Sequence, residues 1–376
     1  MKPACAVFWL CGALWTVRVW GYGGTMRAAL TALLLLLIAT PAVAEVYLFP
    51  APQPEGRELL IYSTLDQRLA AAMIEGFQAE NPTIAVRYED LLTGAIAARV
   101  MAETDSGGTT ADFVFSSAMD LQVKLANDDY ARPTVVPQTA DWPRWANWRN
   151  TAYALTFEPA VIVYHRPSFP DGPPATRIAL INLLRDDAAM QGRIGTYDIE
   201  RSAVGYLFLA RDQEHFADIW SLVRAMGAAG VQAFATSQDI IDRVADGRLA
   251  LGYNILGSYA ADQARLRPDL GLVLPRDFTV VVSRVALVPR AARAPDLGAR
   301  FLAFLMSRSG QTILAERLRL PAVSLEVSDE NSARAMQTAL GDQLRPVAVS
   351  PGLLVYLDQA KRRRLIGQWR RALAAE

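Results

Sequence analysis

At four points in the chain, polar residues stand where an apolar run gives way to a helical pattern: Ser63-Thr64, Ser116-Ser117, Ser202 and Asn254. If each run is a parallel strand, these residues lie outside strand carboxyl ends, where open α/β sheets bind ligands. A helix that starts there presents unpaired N–H groups and a partial positive charge, which suits phosphate, carboxylate or another anion. Ser and Thr hydroxyls add donors without bulk. The same residues also suit plain capping, because Ser63-x-x-Asp66, Ser117-x-x-Asp120 and Thr236-x-x-Asp239 read as capping boxes. Tyr197, Tyr253 and Tyr259 could line the ligand site or pack in the core. Arg284, after the strand run Thr279–Ser283, reads as an anion partner in a cleft or as a surface or hinge salt bridge.

Other chemistries find less support. His165 and His215 are far apart, with no HExxH or Cys pattern near them, so the sequence argues for no metal site. Neither a G-x-S-x-G elbow nor a G-x-x-x-x-G-K-[ST] loop is present. Asp128-Asp129 and Asp186-Asp187 read as solvated charges at loops and helix ends. With no visible nucleophile–base pair, the expectation is a binding protein without a cofactor rather than an enzyme.

The elements that must position these residues alternate along the chain. Glu45 to Arg57, with Pro50, Pro52 and Pro54, reads as an extended arm. Glu58–Tyr62 is a buried-strand run, followed by a helix with Leu69, Met73, Ile74 and Phe77 on one face. Strands are expected at 84–88 and 112–115, and helices at 93–103 and 118–127. Tyr153–His165 is long and β-rich, suited to crossing between two lobes. The alternation then restarts, with strands at 193–197, 231–234 and 249–253 and helices between them. Val285–Val288 reads as a return crossing, and Leu353–Leu373 as a last helix. This pattern predicts an α/β protein of two lobes, residues 58–160 with 284–376 and residues 161–283, with a ligand cleft at their interface.

The chain has 376 residues, with 38 basic and 38 acidic side chains and 52% hydrophobic content, which excludes a disordered chain or a dominant nucleic-acid-binding surface. Met26-Arg27, the apolar stretch Ala28–Ile38, Pro41 and Ala42-Val43-Ala44 form a secretory signal with expected cleavage after Ala44. Since Met26 would begin a complete signal, residues 1–25 read as a mis-assigned start. Both cysteines, Cys5 and Cys11, fall in this leader, so the mature chain has no disulfide, thiol nucleophile or thiolate metal site. The leader holds Lys2, Arg18 and Arg27 and no acid, which leaves the mature chain with about three more acids than bases.

Leu60-Ile-Tyr-Ser-Thr-Leu-Asp66 and Asp112-Phe-Val-Phe-Ser-Ser-Ala-Met-Asp120 resemble the extracellular solute-binding proteins of ABC importers. Gly247-Arg-Leu-Ala-Leu-Gly-Tyr-Asn254 and Val282-Ser-Arg-Val-Ala-Leu-Val288 match later blocks, so the resemblance covers 58–320. The branch is the one that contains ferric-ion-binding and hexose-phosphate-binding proteins. The resemblance implies the type II periplasmic-binding-protein fold, a monomer in the periplasm and a permease partner. Some similar proteins accompany sensor histidine kinases, which makes sensing a second expected output. Ferric binders of this branch use an adjacent Tyr pair and often a His or acid from the first junction. Here Asn254-Ile-Leu-Gly-Ser-Tyr259 has one Tyr, and the first junction offers Leu65-Asp66. Neutral Ser, Thr and Asn donors point to an oxyanion rather than Fe³⁺, which prefers hard anionic oxygens. The expected cargo is a phosphorylated or carboxylated metabolite, with ferric iron as the alternative.

Overall fold

The computed structural model describes residues 45–54, 56–324, 327 and 332–374, so the leader expected at 1–44 lies outside the described residues. In the first part, β1 (Glu45–Phe49), β2 (Arg57–Ser63), β3 (Ile84–Asp90) and β4 (Phe113–Ser116) alternate with α1 (Gln67–Glu80), α2 (Thr93–Asp105) and α3 (Met119–Asn127). Next come β5 (Asn147–Trp148), β6 (Ala152–Ala154) and β7 (Glu158–His165). The chain continues through α4 (Arg177–Asp186), β8 (Ile194–Tyr197), α5 (Ala203–His215), α6 (Ile219–Ala228) and β9 (Gln232–Phe234). After these follow α7 (Ser237–Ala245), β10 (Leu251–Leu256), α8 (Gly257–Leu266), β11 (Leu270–Val273) and β12 (Thr279–Val282). The last part holds β13 (Val285–Leu287), α9 (Pro295–Met306), α10 (Arg308–Thr312), α11 (Ala333–Leu340), β14 (Leu344–Pro346) and α12 (Gln359–Leu373).

Two sheets result. The first has the order β1-β3-β2-β4-β13-β6-β5; the second has β14-β12-β7-β10-β8-β9, with β11 also on β7. In the first, β2 pairs in parallel with β3 and β4, and in the second β8 pairs in parallel with β9 and β10. Leu59, Ile61, Val86, Phe113 and Phe115 are buried because helices cover both faces, which is why these strands read as near-continuous apolar runs. Phe301 of α9 packs edge-on to Phe77 of α1 and Phe113 of β4, at 5.0 and 4.9 Å between ring centres. Such pairs add to area burial by about 0.5–1.5 kcal/mol. This is the two-lobed type II architecture, each lobe a mixed sheet flanked by helices.

The crossings refine the expected boundaries. The long β-rich stretch splits: β6 belongs to the first sheet, β7 to the second, and Leu155–Phe157 link them. The return runs from β12 through Ser283 and Arg284 into β13. Leu155 N donates to Arg284 O at 3.0 Å and Arg284 N donates to Thr156 Oγ1 at 2.7 Å, so the two crossings are tied side by side.

The arm, the tail and the last helix differ from expectation. The arm at 45–57 begins as an edge strand, since β1 pairs antiparallel with β3 from Glu45 opposite Asp90 to Phe49 opposite Val86. The tail after 340 does not stay with the first lobe. β14 pairs in parallel with β12, Val347 N donates to Val281 O at 2.9 Å, and Val349 N donates to Trp145 O at 2.8 Å. This makes a third crossing. The single expected helix at 353–373 divides at Asp358, whose Oδ1 accepts from Ala360 N and Lys361 N and starts α12 afresh. The 3-10 turn at Pro351–Leu357 packs on α3, and α12 packs on α6, burying Leu365, Trp369 and Ala372.

Candidate functional site

The strand ends of the two lobes face one cleft of about 380 Å³. That is room for a small metabolite. Thr64, Asp66, Asp90 and Ser117 line it from the first lobe; Tyr197, Arg201, Ser202, Ser237 and Tyr259 line it from the second; Arg284 lines it from the crossing. Six of the nine residues singled out in the sequence therefore meet there, and three do not.

Ser63 and Ser116 are fully buried behind the wall. Their hydroxyls accept from Leu65 N at 3.1 Å and Ala118 N at 3.2 Å, closing the turns that lead out of β2 and β4. Neither is a helix cap: the residues at the cap positions of α1 and α3 are Asp66 and Ala118, with no side-chain capping bond. The capping boxes read at Ser63 and Ser117 are thus not formed, whereas Thr236 does accept from Asp239 N at 3.1 Å. The consequence falls on the next residues. Thr64 Oγ1 accepts from Ser117 N at 3.3 Å and from Arg284 Nη1 at 3.4 Å, joining both first-lobe junctions to the crossing. The Ser117 hydroxyl has no partner among the described residues and lies on the cleft wall.

In the second lobe Ser202 caps α5, accepting from Gly205 N at 3.2 Å, and lines the cleft as well. Gly205 is required, because a Cβ there would lie 2.3 Å from the Tyr197 Cβ. The Tyr197 hydroxyl pairs with that of Ser237, and both line the cleft. Asn254 departs from its expected role. The strand continues past it to Leu256, so it caps no helix, and it is not among the residues lining the cleft. It sits at φ +60° in a β-bulge and donates from Nδ2 to Asp212 Oδ2 at 2.6 Å. Asp212 also accepts from Tyr253 and from Arg177, and both ions are fully buried.

Arg284 is 1% exposed, with Nε 3.3 Å from Glu158 Oε1 and its guanidinium near the Tyr259 ring. Nε makes no aligned hydrogen bond, so the Glu158 contact is an ion pair only. Burial works against its charge, but Glu158 and Tyr259 outweigh that and its pKa is raised. Glu158 itself is held by Thr156 Oγ1 at 2.8 Å and by the Ser258 hydroxyl. Burial pushes the Tyr259 hydroxyl up to about 12 and raises Tyr197 as well, so both phenols are neutral donors at physiological pH. Burial, then Asp66 and Glu45, push Asp90 up to about 6, against the pull of Arg284. Asp90, Arg201 and Ser237 line the cleft as well, without standing out in the sequence. Asp90 and Ser237 follow from the strand-end rule applied to β3 and β9; for Arg201, nothing but its place beside Ser202 offers a signal.

Residues 60–317, more than half of the chain, match the family of bacterial extracellular solute-binding proteins. The chain belongs to this family. Among solved structures, a substrate-binding protein of an ABC transporter from Agrobacterium tumefaciens is 61% identical, with a TM-score of 0.84 over 89% of this chain and all of its own. The fructose-6-phosphate-bound periplasmic protein AfuA from Actinobacillus pleuropneumoniae is 15% identical, with a TM-score of 0.69 over 86% of this chain and all of its own. Iron-bound HitA from Pseudomonas aeruginosa is 15% identical, with a TM-score of 0.64 over 84% of this chain and 99% of its own. The latter two share the fold. No curated protein matches the chain. Among the described residues, no helix of this solute-binding protein is long and apolar enough to cross a membrane.

Proposed function

We propose that this solute-binding protein is the periplasmic capture component of an ABC importer and that its cargo is a small anionic solute, a phosphorylated or carboxylated metabolite. The observation that carries the reading is the makeup of the cleft, where hydroxyls and helix starts from opposing lobes meet two neutral phenols and two guanidinium groups. Ser117 and Thr64 offer hydroxyls from the first lobe; Arg201, Ser202 and the start of α5 offer charge and N–H groups from the second. Preorganised donors of this kind suit an oxyanion. Iron is the less favoured cargo, since the two tyrosines lining the cleft, Tyr197 and Tyr259, are not the adjacent pair that ferric binders of this branch use, and no lining residue is a His.

Capture is a population shift. A ligand favours the closed form only through contacts that are stronger there than in the open form. Donors from the second lobe that meet the ligand on closure provide the difference, and the closed form is the one a permease would engage. The leader would direct export, with cleavage after Ala44, which mass spectrometry of the exported chain would check.

A thermal-shift screen of the purified protein tests the reading. Phosphate esters or organic acids are expected to raise Tm, by up to a few kcal/mol of stabilisation at saturating ligand. Stabilisation by Fe³⁺ alone, with a visible charge-transfer band, would overturn it.

A further inference from the structure

The anion site leaves two carboxylates without a role. Asp90 ends β3, directly beside Ser63 of β2 in the sheet register, and Asp66 lies at the start of α1. Both line the cleft from the first lobe. Neither side-chain carboxylate has a hydrogen-bond or ion-pair partner among the described residues. Arg284 pulls on Asp90 through space, but its ion pair is with Glu158 in the crossing, 3.3 Å from Nε. On the facing wall, Arg201 is exposed and likewise has no ion-pair partner among the described residues. It precedes Ser202 at the positive end of α5. The cleft therefore has a negative wall and a positive wall. A purely anionic ligand filling it would place its charge against two carboxylates that have no ion-pair partner among the described residues, and closure would raise that cost as water leaves. A ligand with charges of both signs meets complementary potential on each side.

We infer that the ligand is a small zwitterion, an amine joined through a short chain to a phosphate, phosphonate or carboxylate. Its anionic end lies against Arg201 and the start of α5, and its ammonium lies between Asp66 and Asp90. This rests on the anion reading above and narrows it. The competing fate of the two carboxylates is to pair with Arg201 itself as the lobes close, and then the ligand's amine would bring no gain.

The test is calorimetric titration of the exported protein, purified from the periplasm, with compounds matched except for one amine. O-phosphoethanolamine is set against ethyl phosphate and β-alanine against propionate, with ferric citrate as a separate arm. In at least one pair, the amine-bearing member is expected to bind tenfold or more tighter. Asp90→Asn and Asp66→Asn should each cut that preference below threefold, provided circular dichroism and Tm show a folded variant. Should one of the two fail to fold, the other decides. Anions that bind equally well with and without the amine would overturn the zwitterion and leave the anion reading standing. Binding of none of the four compounds, or of ferric iron alone, would overturn both.

Discussion

Asp90 illustrates the tension between binding and stability at single residues. Its pKa is raised to about 6 by burial and by Asp66 and Glu45, against Arg284. A carboxyl raised in the folded state binds protons there more readily than in the unfolded chain, so it destabilises the fold above pH 6 and ceases to do so as pH falls towards 4. Because it is half exposed, solvent screening leaves a cost on the order of 1 kcal/mol. Asp90→Asn should therefore raise the Tm of the ligand-free protein at pH 7.5, and the gain should vanish near pH 4 in a pH series of melts. The two wall serines should behave differently from each other. Ser202→Ala removes a cap and is expected to cost about 1 kcal/mol of stability in urea melts as well as weaken ligand binding. Ser117→Ala breaks no bond among the described residues, so binding should fall while the ligand-free Tm stays within a degree or so. The hydroxyl-bearing junctions were legible in the sequence; which hydroxyl of each pair faces the cleft was not. Ser63 and Ser116 turn inward to satisfy a backbone N–H two residues on, a local choice that residue type does not specify.

Among the elements, β10 shows why Asn254 reads as a cap in the sequence. Asn after a strand run is a strong helix-start signal, but here the strand resumes after a bulge that uses the residue's tolerance of positive φ. The fully buried Arg177–Asp212 pair fixes the bulge, with the guanidinium also bonded to the Tyr253 hydroxyl at 2.7 Å and Phe278 O at 2.9 Å. A buried pair of this kind is costly to break from one side. Asn254→Ala loses the Asp212 bond and strains the backbone, so a loss of about 2–3 kcal/mol is expected in chemical denaturation. Asn254→Gly relieves the strain and should lose about 1 kcal/mol less. Equal losses would show that φ +60° costs nothing here. Strand and helix placement was otherwise readable, because α1 and β2 carry unmistakable 3.6-residue and buried-run patterns.

For the molecule as a whole, the tail was the illegible part. Nothing in the local pattern of Leu344–Pro346 says which sheet edge it joins, and the answer, alongside β12, gives the hinge a third strand of chain. The lobes also meet at the rim, where Arg68 of α1 donates to Asp262 of α8 at 3.1 Å, an acid that is 4% exposed. A pair half in solvent contributes about 0.5–1 kcal/mol to the lobe arrangement that makes it. Arg68→Ala should therefore raise the ligand Kd about two- to fivefold, with a larger radius of gyration by small-angle scattering at partial saturation. An unchanged Kd would remove the rim pair from the closure.

The central claim is that helix starts and hydroxyls from both lobes clasp an anionic group in one cleft. A crystal structure with the tightest binder from the thermal screen tests it most directly. The account predicts an oxyanion within hydrogen-bonding distance of both the Ser117 hydroxyl and the start of α5. A metal held by Tyr197 and Tyr259 would contradict it, as would a ligand lodged in the separate cavity of about 490 Å³ beside Trp145 and Phe157.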